Sequence, residues 1–329
     1  MKPVQEKEDN AVAVVIGALL TFVIVISIMG SYILWYVPSN GQSNDIKFVG
    51  QTENSLIQLQ SKVQNESAFP NEFVIQSFPL GIPGTPPFSP NTDSSISFEN
   101  SSGYSTHFQF SILVNVTYGT VTRTIPYNYS FNGSGQIYVD TSTPFVTPSL
   151  FYFQNDGIIV KQAGNNYSST IGSLPLSISS GGGKGIYLNA SQISINGTDT
   201  YVGGYGSTLL TLQYSNVNES DFYVGENITV QNRTGGYTSA VVNNITMPIN
   251  TFYYNITSPV AQAWNESLWS TYNLSRTYAG SKSSGVSWGF TGYDLEASFR
   301  NNTLSISATQ TMYPYSVNMN FFMLRLLEI

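Results

Sequence analysis

The chain has 329 residues, enough for one or two domains with a real core, but only 9% of them are charged, against roughly a quarter in ordinary soluble domains. Net charge is −7, Lys and Arg are spread thinly, and cysteine is absent. That argues against nucleic-acid binding, disulfide staples and thiolate metal sites, and it leaves amides and hydroxyls to keep the surface wet.

Residues 1–10 form a charged leader holding Lys2, Glu6, Lys7, Glu8 and Asp9. From Ala11 to Val37 no residue is charged, a run of about 40 Å as helix. A hydrocarbon core needs about 20 such residues, and a cleavable secretory signal has an apolar core of only about 7–15. The run therefore reads as a transmembrane or stem helix in contact with membrane lipid. Tyr32, Trp35 and Tyr36 sit at its far end, where amphipathic rings favour headgroup depth. Pro38 predicts a helix end at Val37. Ala13, Gly17 and Thr21, and again Ser27 and Ser31, recur every four residues. Small residues at that spacing permit close helix approach, so these five are candidate packing positions.

Residues 38–66 read as a polar linker (38–50) followed by a short helix. Thr52 and Asn54 are its candidate caps, and Leu56, Leu59 and Val63 are its buried stripe. "FPLGIPGTPPFSP" (78–90), with five prolines, reads as an ordered extended crossing or a hinge. The rest of 67–329 is β-rich. Hairpins are expected around Tyr118-Gly119 and at Asn155-Asp156-Gly157. One helix is expected from Ser258 and Pro259, with Val260, Trp264, Leu268 and Tyr272 facing a sheet. The fold class expected is mainly β: an N-terminal helix, then an antiparallel β-sandwich-like ectodomain with one or two short helices. The Gly-rich 181–185 either divides two subdomains or is a loop.

Orientation is read from Asn-X-Ser/Thr acceptors. Sixteen occur, at Asn65, Asn100, Asn115, Asn128, Asn132, Asn166, Asn189, Asn196, Asn218, Asn227, Asn232, Asn244, Asn255, Asn265, Asn273 and Asn301. Chance in this composition gives roughly seven for this motif. All follow the apolar run, so the reading is a single-pass membrane protein with a glycosylated C-terminal body outside the cell and residues 1–10 inside.

"DNAVAVVIGALLTFVIVISIMGSY" resembles the N-terminus of archaeal type IV pilin-like proteins. The continuation "VPSNGQSNDIKFVGQTENSLIQLQSKV" is similar to a group of archaeal surface proteins with that stem and a β-rich ectodomain. The resemblance covers residues 8–65. It implies processing by a prepilin peptidase at the edge of the apolar run, between Asn10 and Ala11, and partner subunits of like kind along the stem. The chain departs from the family pattern in having Asn before the cut and no basic residue directly preceding it.

Motifs of catalysis are weak. "GVSWG" (285–289) matches the nucleophile elbow around Ser287, but strand-like sequence follows it and the lone His107 precedes it. "SSGGGKG" around Lys184 lacks the first Gly and the Ser/Thr of a phosphate loop. His107 has no companion His or Cys for zinc. Asp294 with Glu296, and Glu219 with Asp221, share strand faces as a glycosidase pair would, and surface carboxylates have the same spacing. No cofactor or metal is expected. The reading is a non-enzymatic, pilin-like archaeal surface glycoprotein of structural or adhesive role. The alternatives are a monomeric anchored binding protein for carbohydrate or another envelope ligand and, third, a surface hydrolase. Scarce ionisable groups also point to a body that tolerates acid.

Overall fold

One helix carries the chain from Pro3 to Asn65 in the computed structural model, which describes residues 3–65, 70–84, 91–100, 103–165, 168–180, 186–231, 235–268, 287–290, 293–300, 302–308 and 311–329. The helix comprises α1 (Pro3–Ser31), a π-helical turn (Tyr32–Tyr36) and α2 (Val37–Asn65), about 95 Å in all at 1.5 Å per residue. The linker expected at 38–50 is thus helical. Thr52 and Asn54, expected as caps, lie inside α2.

Two features explain the difference. The N–H of Val37 reaches back to the carbonyl of Tyr32, five residues away, and this wide turn falls where Pro38 lacks a donor and its ring crowds the preceding turn. Val37 accordingly stays helical at φ −63°, ψ −50° despite the proline after it. Second, Val37, Gly41, Asp45, Phe48, Thr52, Leu56, Leu59 and Val63 are all buried. Their steps of four, four and three match the 11-residue repeat of a nearly straight helix. Packing along this stripe overrides the poor helix propensity of Pro, Gly, Asn and Ser. Gly41 is needed there, because a Cβ would fall on the Phe145 ring.

The protein is mainly β, with 57% strand, the long helix included, and the body holds three sheets. Sheet I runs β1 (Phe73–Pro79), β13 (Ser207–Tyr223), β20 (Pro314–Glu328), β11 (Ile186–Asn196) and β10 (Leu176–Ser180). Sheet II runs β12 (Thr200–Gly204), β3 (Thr92–Glu99), β6 (Gln136–Thr141), β7 (Ser149–Gln154), β8 (Gly157–Gln162) and β9 (Ser168–Ile171), with β2 (Gly81–Ile82) on β3. Sheet III runs β14 (Asn227–Gln231), β15 (Tyr237–Thr246), β4 (Ser105–Tyr118), β16 (Phe252–Thr257), β19 (Thr303–Ala308), β18 (Tyr293–Arg300) and β17 (Ser287–Phe290), with β5 (Val121–Ser134) on β4. The pairs are antiparallel except β11–β20, which is parallel.

Both expected hairpins form. β4 and β5 close at Tyr118↔Val121, with Gly119 at φ +58°. β7 and β8 close at Gln154↔Gly157, with Asn155 and Asp156 both at positive φ, the requirement of a type I′ turn. The expected helix is present over 261–268. The Ser258 hydroxyl accepts from the N–H of Val260 at 3.1 Å, and Val260, Trp264 and Leu268 are buried. Tyr272 lies outside the described residues.

Two hydrophobic cores share sheet I. The first sets Phe108, Phe110, Ile112 and Val114 of β4 against Val317, Met319 and Phe321 of β20. The second gathers Leu56, Leu59 and Val63 of α2, Phe98, Phe151 and Phe153 of sheet II, and Phe322, Leu324 and Leu326 of β20. Odd residues of β20 serve one core and even residues the other, so opposite faces of a single strand are buried at its two ends. β13 makes the same change through a register shift between Tyr214 and Asn216. Residues 181–185 lie outside the described residues. The strands flanking them, β10 and β11, pair with each other, and β11 contributes to both cores.

Candidate functional site

Residues 13–29 are exposed all round the helix. Val14, Leu34 and Trp35 are 72%, 82% and 75% exposed, although an apolar helix surface is ordinarily covered by protein or lipid. Among the described residues this is the one helix long and apolar enough to cross a membrane. Tyr32 and Tyr36 stack at 4.8 Å just before α2 begins.

Of the candidate packing positions, Ala13 is exposed and Gly17 has open space around it. Thr21, Ser27 and Ser31 donate their hydroxyls to the carbonyls of Gly17, Val23 and Ser27, four residues back. Their polar atoms are therefore satisfied within the helix, as a lipid environment requires. Asn10 and Ala11 lie inside α1.

The second half of the helix is locked to the body. The Tyr214 hydroxyl donates to the Val63 carbonyl at 2.8 Å. The Lys62 ammonium donates to the Ile75 carbonyl at 2.6 Å on edge strand β1. Asp45 accepts from the Phe145 N–H at 2.8 Å.

At the far end the tip of the β7–β8 hairpin is buried beneath the helix. Gln60 donates to the Asp156 carbonyl at 2.5 Å, and Gln64 to the Asp156 carboxylate at 2.7 Å. Asn155 donates to Tyr254 Oη at 2.7 Å and to Gln192 Oε1 at 2.9 Å, and accepts from the Ile193 N–H at 2.9 Å. Burial pushes the Asp156 carboxyl up to about 6 against the opposing hydrogen bond from Gln64. Burial likewise raises the Tyr254 phenol. Sequence reading found the turn at Asn155-Asp156 but not its partners. Gln60 and Gln64, one turn apart beside the buried stripe of α2, are the only local signal of a polar seam there.

The sequons are spread unevenly. Asn128, Asn132, Asn189, Asn218, Asn227 and Asn244 are exposed, and Asn100, Asn115, Asn196, Asn255 and Asn265 are half-buried. Six of these eleven, Asn115, Asn128, Asn132, Asn227, Asn244 and Asn255, lie on strands of sheet III. Asn166, Asn232, Asn273 and Asn301 lie outside the described residues, as does the side chain of Asn65. On this sheet polar side chains satisfy one another. Asn115 donates to Asn244 at 2.6 Å, Asn243 to Thr117 at 2.5 Å and Thr124 to Asn115 at 2.5 Å.

The catalytic candidates are not drawn together. His107 shares its Nδ1 with Asn132 Oδ1 at 2.6 Å, in an open cleft of about 380 Å³ bordered by Asn255 and Thr257. Ser287 opens strand β17, which pairs with β18, whereas the nucleophile elbow turns into a helix. Lys184 and Gly185 lie outside the described residues, as do the side chains of Asp294 and Glu296. Glu219 and Asp221 are exposed on β13, and partial desolvation raises the Asp221 carboxyl. Among the described residues no group of three His, Cys, Asp or Glu could hold a metal ion. No family model, curated protein or solved structure matches this chain.

Proposed function

We propose that this is a non-enzymatic archaeal cell-surface protein of pilin-like build. It is held in the membrane by residues 11–36 and carries a glycosylated β-rich body outside the cell for a structural or adhesive task. The observation that supports this most is the two-part helix: its apolar half is uncovered in the single chain, and its second half is packed into the body without a hinge. Such a strut holds the body at a fixed attitude to whatever covers the stem, which is lipid in a single anchor and lipid or like subunits in an assembly. The resemblance over residues 8–65 supplies the pilin-like part of the reading, with a prepilin peptidase acting at Asn10-Ala11 and N-glycosylation machinery acting on the sequons.

Protease added to intact cells should remove the body, and N-terminal mass spectrometry should find chains beginning at Ala11. Chains that keep residues 1–10 and extract only as monomers defeat assembly and favour the second reading, an anchored monomeric binding protein. The internal hydroxyl bonds of Thr21, Ser27 and Ser31 favour that reading, because they leave the stem no polar need for a partner. A body untouched by protease, with unmodified asparagines, defeats both.

A further inference from the structure

A cleft of about 260 Å³ lies where the edge of β5 meets β13 and β20. Its floor is aromatic, with Tyr129 and Phe321 stacked at 6.1 Å and 28°. Asn216 and Asn218 of β13 lie opposite Met323 and Phe321 and form an exposed rim, while Asn128 and Ser130 border the cleft along the β5 edge with side chains on the other face from Tyr129.

Two contrasts single this cleft out. Elsewhere on β4, β5 and β15 the amides and hydroxyls are spent on one another, as in the Asn115–Asn244, Asn243–Thr117 and His107–Asn132 pairs. The Asn216 and Asn218 side chains make no such bond among the described residues. The lining also holds no charged group. Each free amide offers two donors and an acceptor, so the rim suits a ligand that alternates donors and acceptors without charge. A ring with one apolar C–H face suits the floor. Small pockets of this kind take orientation from a few polar groups set around apolar surface.

We propose that this cleft seats a neutral sugar ring. The ring lies against Tyr129 and takes hydrogen bonds from the amides of Asn216 and Asn218. Asn128 and Asn218 are themselves acceptor sequons, so the ring has two sources: a glycan attached at the rim, or a saccharide from outside. The inference gives the adhesive reading its ligand class and rests on that reading only in placing the cleft outside the cell.

The test uses full-length protein in detergent micelles, titrated with N,N′-diacetylchitobiose and with maltotriose by saturation-transfer NMR and calorimetry. Protein made in a host without N-glycosylation machinery, and so free of rim glycans, should bind at least one of them saturably. Adding Asn216→Ala, at an exposed position outside any sequon, should weaken binding about tenfold, the effect of one lost hydrogen bond, with Tm unchanged. If the glycosylated protein binds as well as the unglycosylated form, the saccharide comes from outside; if it binds less, its own glycan fills the cleft. Absence of saturation by both probes in the unglycosylated form, or binding indifferent to Asn216→Ala, overturns the proposal. A body later found inside the cell would defeat the surface reading and leave these binding results intact.

Discussion

Asp156 combines positive φ, full burial and a carboxylate. Its native pKa of about 6 stands above the ordinary 3.8, so between those values the folded chain holds a proton that the unfolded chain has released. Stability is then complete below about pH 4 and falls as pH rises through 6, by about 3 kcal/mol for about two pKa units at a buried site. Asp45, Asp140 and Asp221 are raised too, each chiefly by burial, and act in the same direction. Tm should therefore rise as pH is lowered from 7 to 4. Asp156→Asn tolerates the positive φ and still accepts from Gln64, so it should raise Tm at pH 7 and flatten this step. A Tm that falls steadily from pH 7 to 4 would refute the account. Gly157 is a second test. The sequence suggests that it serves the turn, but a Cβ there would fall on the Trp264 ring. Gly157→Ala should cost about 1–3 kcal/mol from overpacking, read as a shift of the denaturant midpoint.

The helix shows what local sequence conceals. Between Pro38 and Gly50 eight of the thirteen residues are Pro, Ser, Asn, Gly or Asp, which favour turns, and only the spacing of Val37, Gly41, Asp45 and Phe48 marks a continuing face. Two members of that face are Gly and Asp, so no apolar stripe was legible. Pro38 inside an ordinary helix would cost about 3 kcal/mol. Because the π turn already accommodates it, Pro38→Ala should change stability by less than about 1 kcal/mol, measured by thermal melting of the full chain. A gain near 3 kcal/mol would mean that the wide turn does not relieve the proline. The hairpins were legible because glycine and Asn-Asp turns are local. Sheet III carries its own prediction. Asn115 and Asn244 lie directly opposite and share a hydrogen bond, so one glycan should exclude a second. Peptide mapping combined with intact mass should find them occupied alternately, and molecules modified at both would contradict this.

At the scale of the whole molecule the sequence announced a β-rich antiparallel body, and the sheets agree apart from the parallel β11–β20 pair; it also announced short strands, whereas β4, β5, β13 and β20 run to 14, 14, 17 and 15 residues. It did not announce the two cores. β13 and β20 pair across about a hundred residues, and the parallel partner of β20 is β11. Such register is chosen by burial on both faces, which alternation within a single strand cannot specify. Nor did it announce where the few charges go. Lys62 and Arg123 donate to backbone carbonyls, while Asp45 and Asp156 accept from an N–H and an amide. Protonating these carboxylates dissolves no ion pair with Lys62 or Arg123, which accords with the acid tolerance expected from composition.

The position of β20 within sheet I has a consequence for biosynthesis. This strand is made after every other member of both cores, yet it occupies the middle of their shared wall, bonded to β13 on one side and β11 on the other. Neither core can close while the ribosome is still reading towards residue 314. Until then the hairpins of sheets II and III lack the wall they pack against, and asparagines on those ladders stay more accessible to any enzyme stationed at the exit.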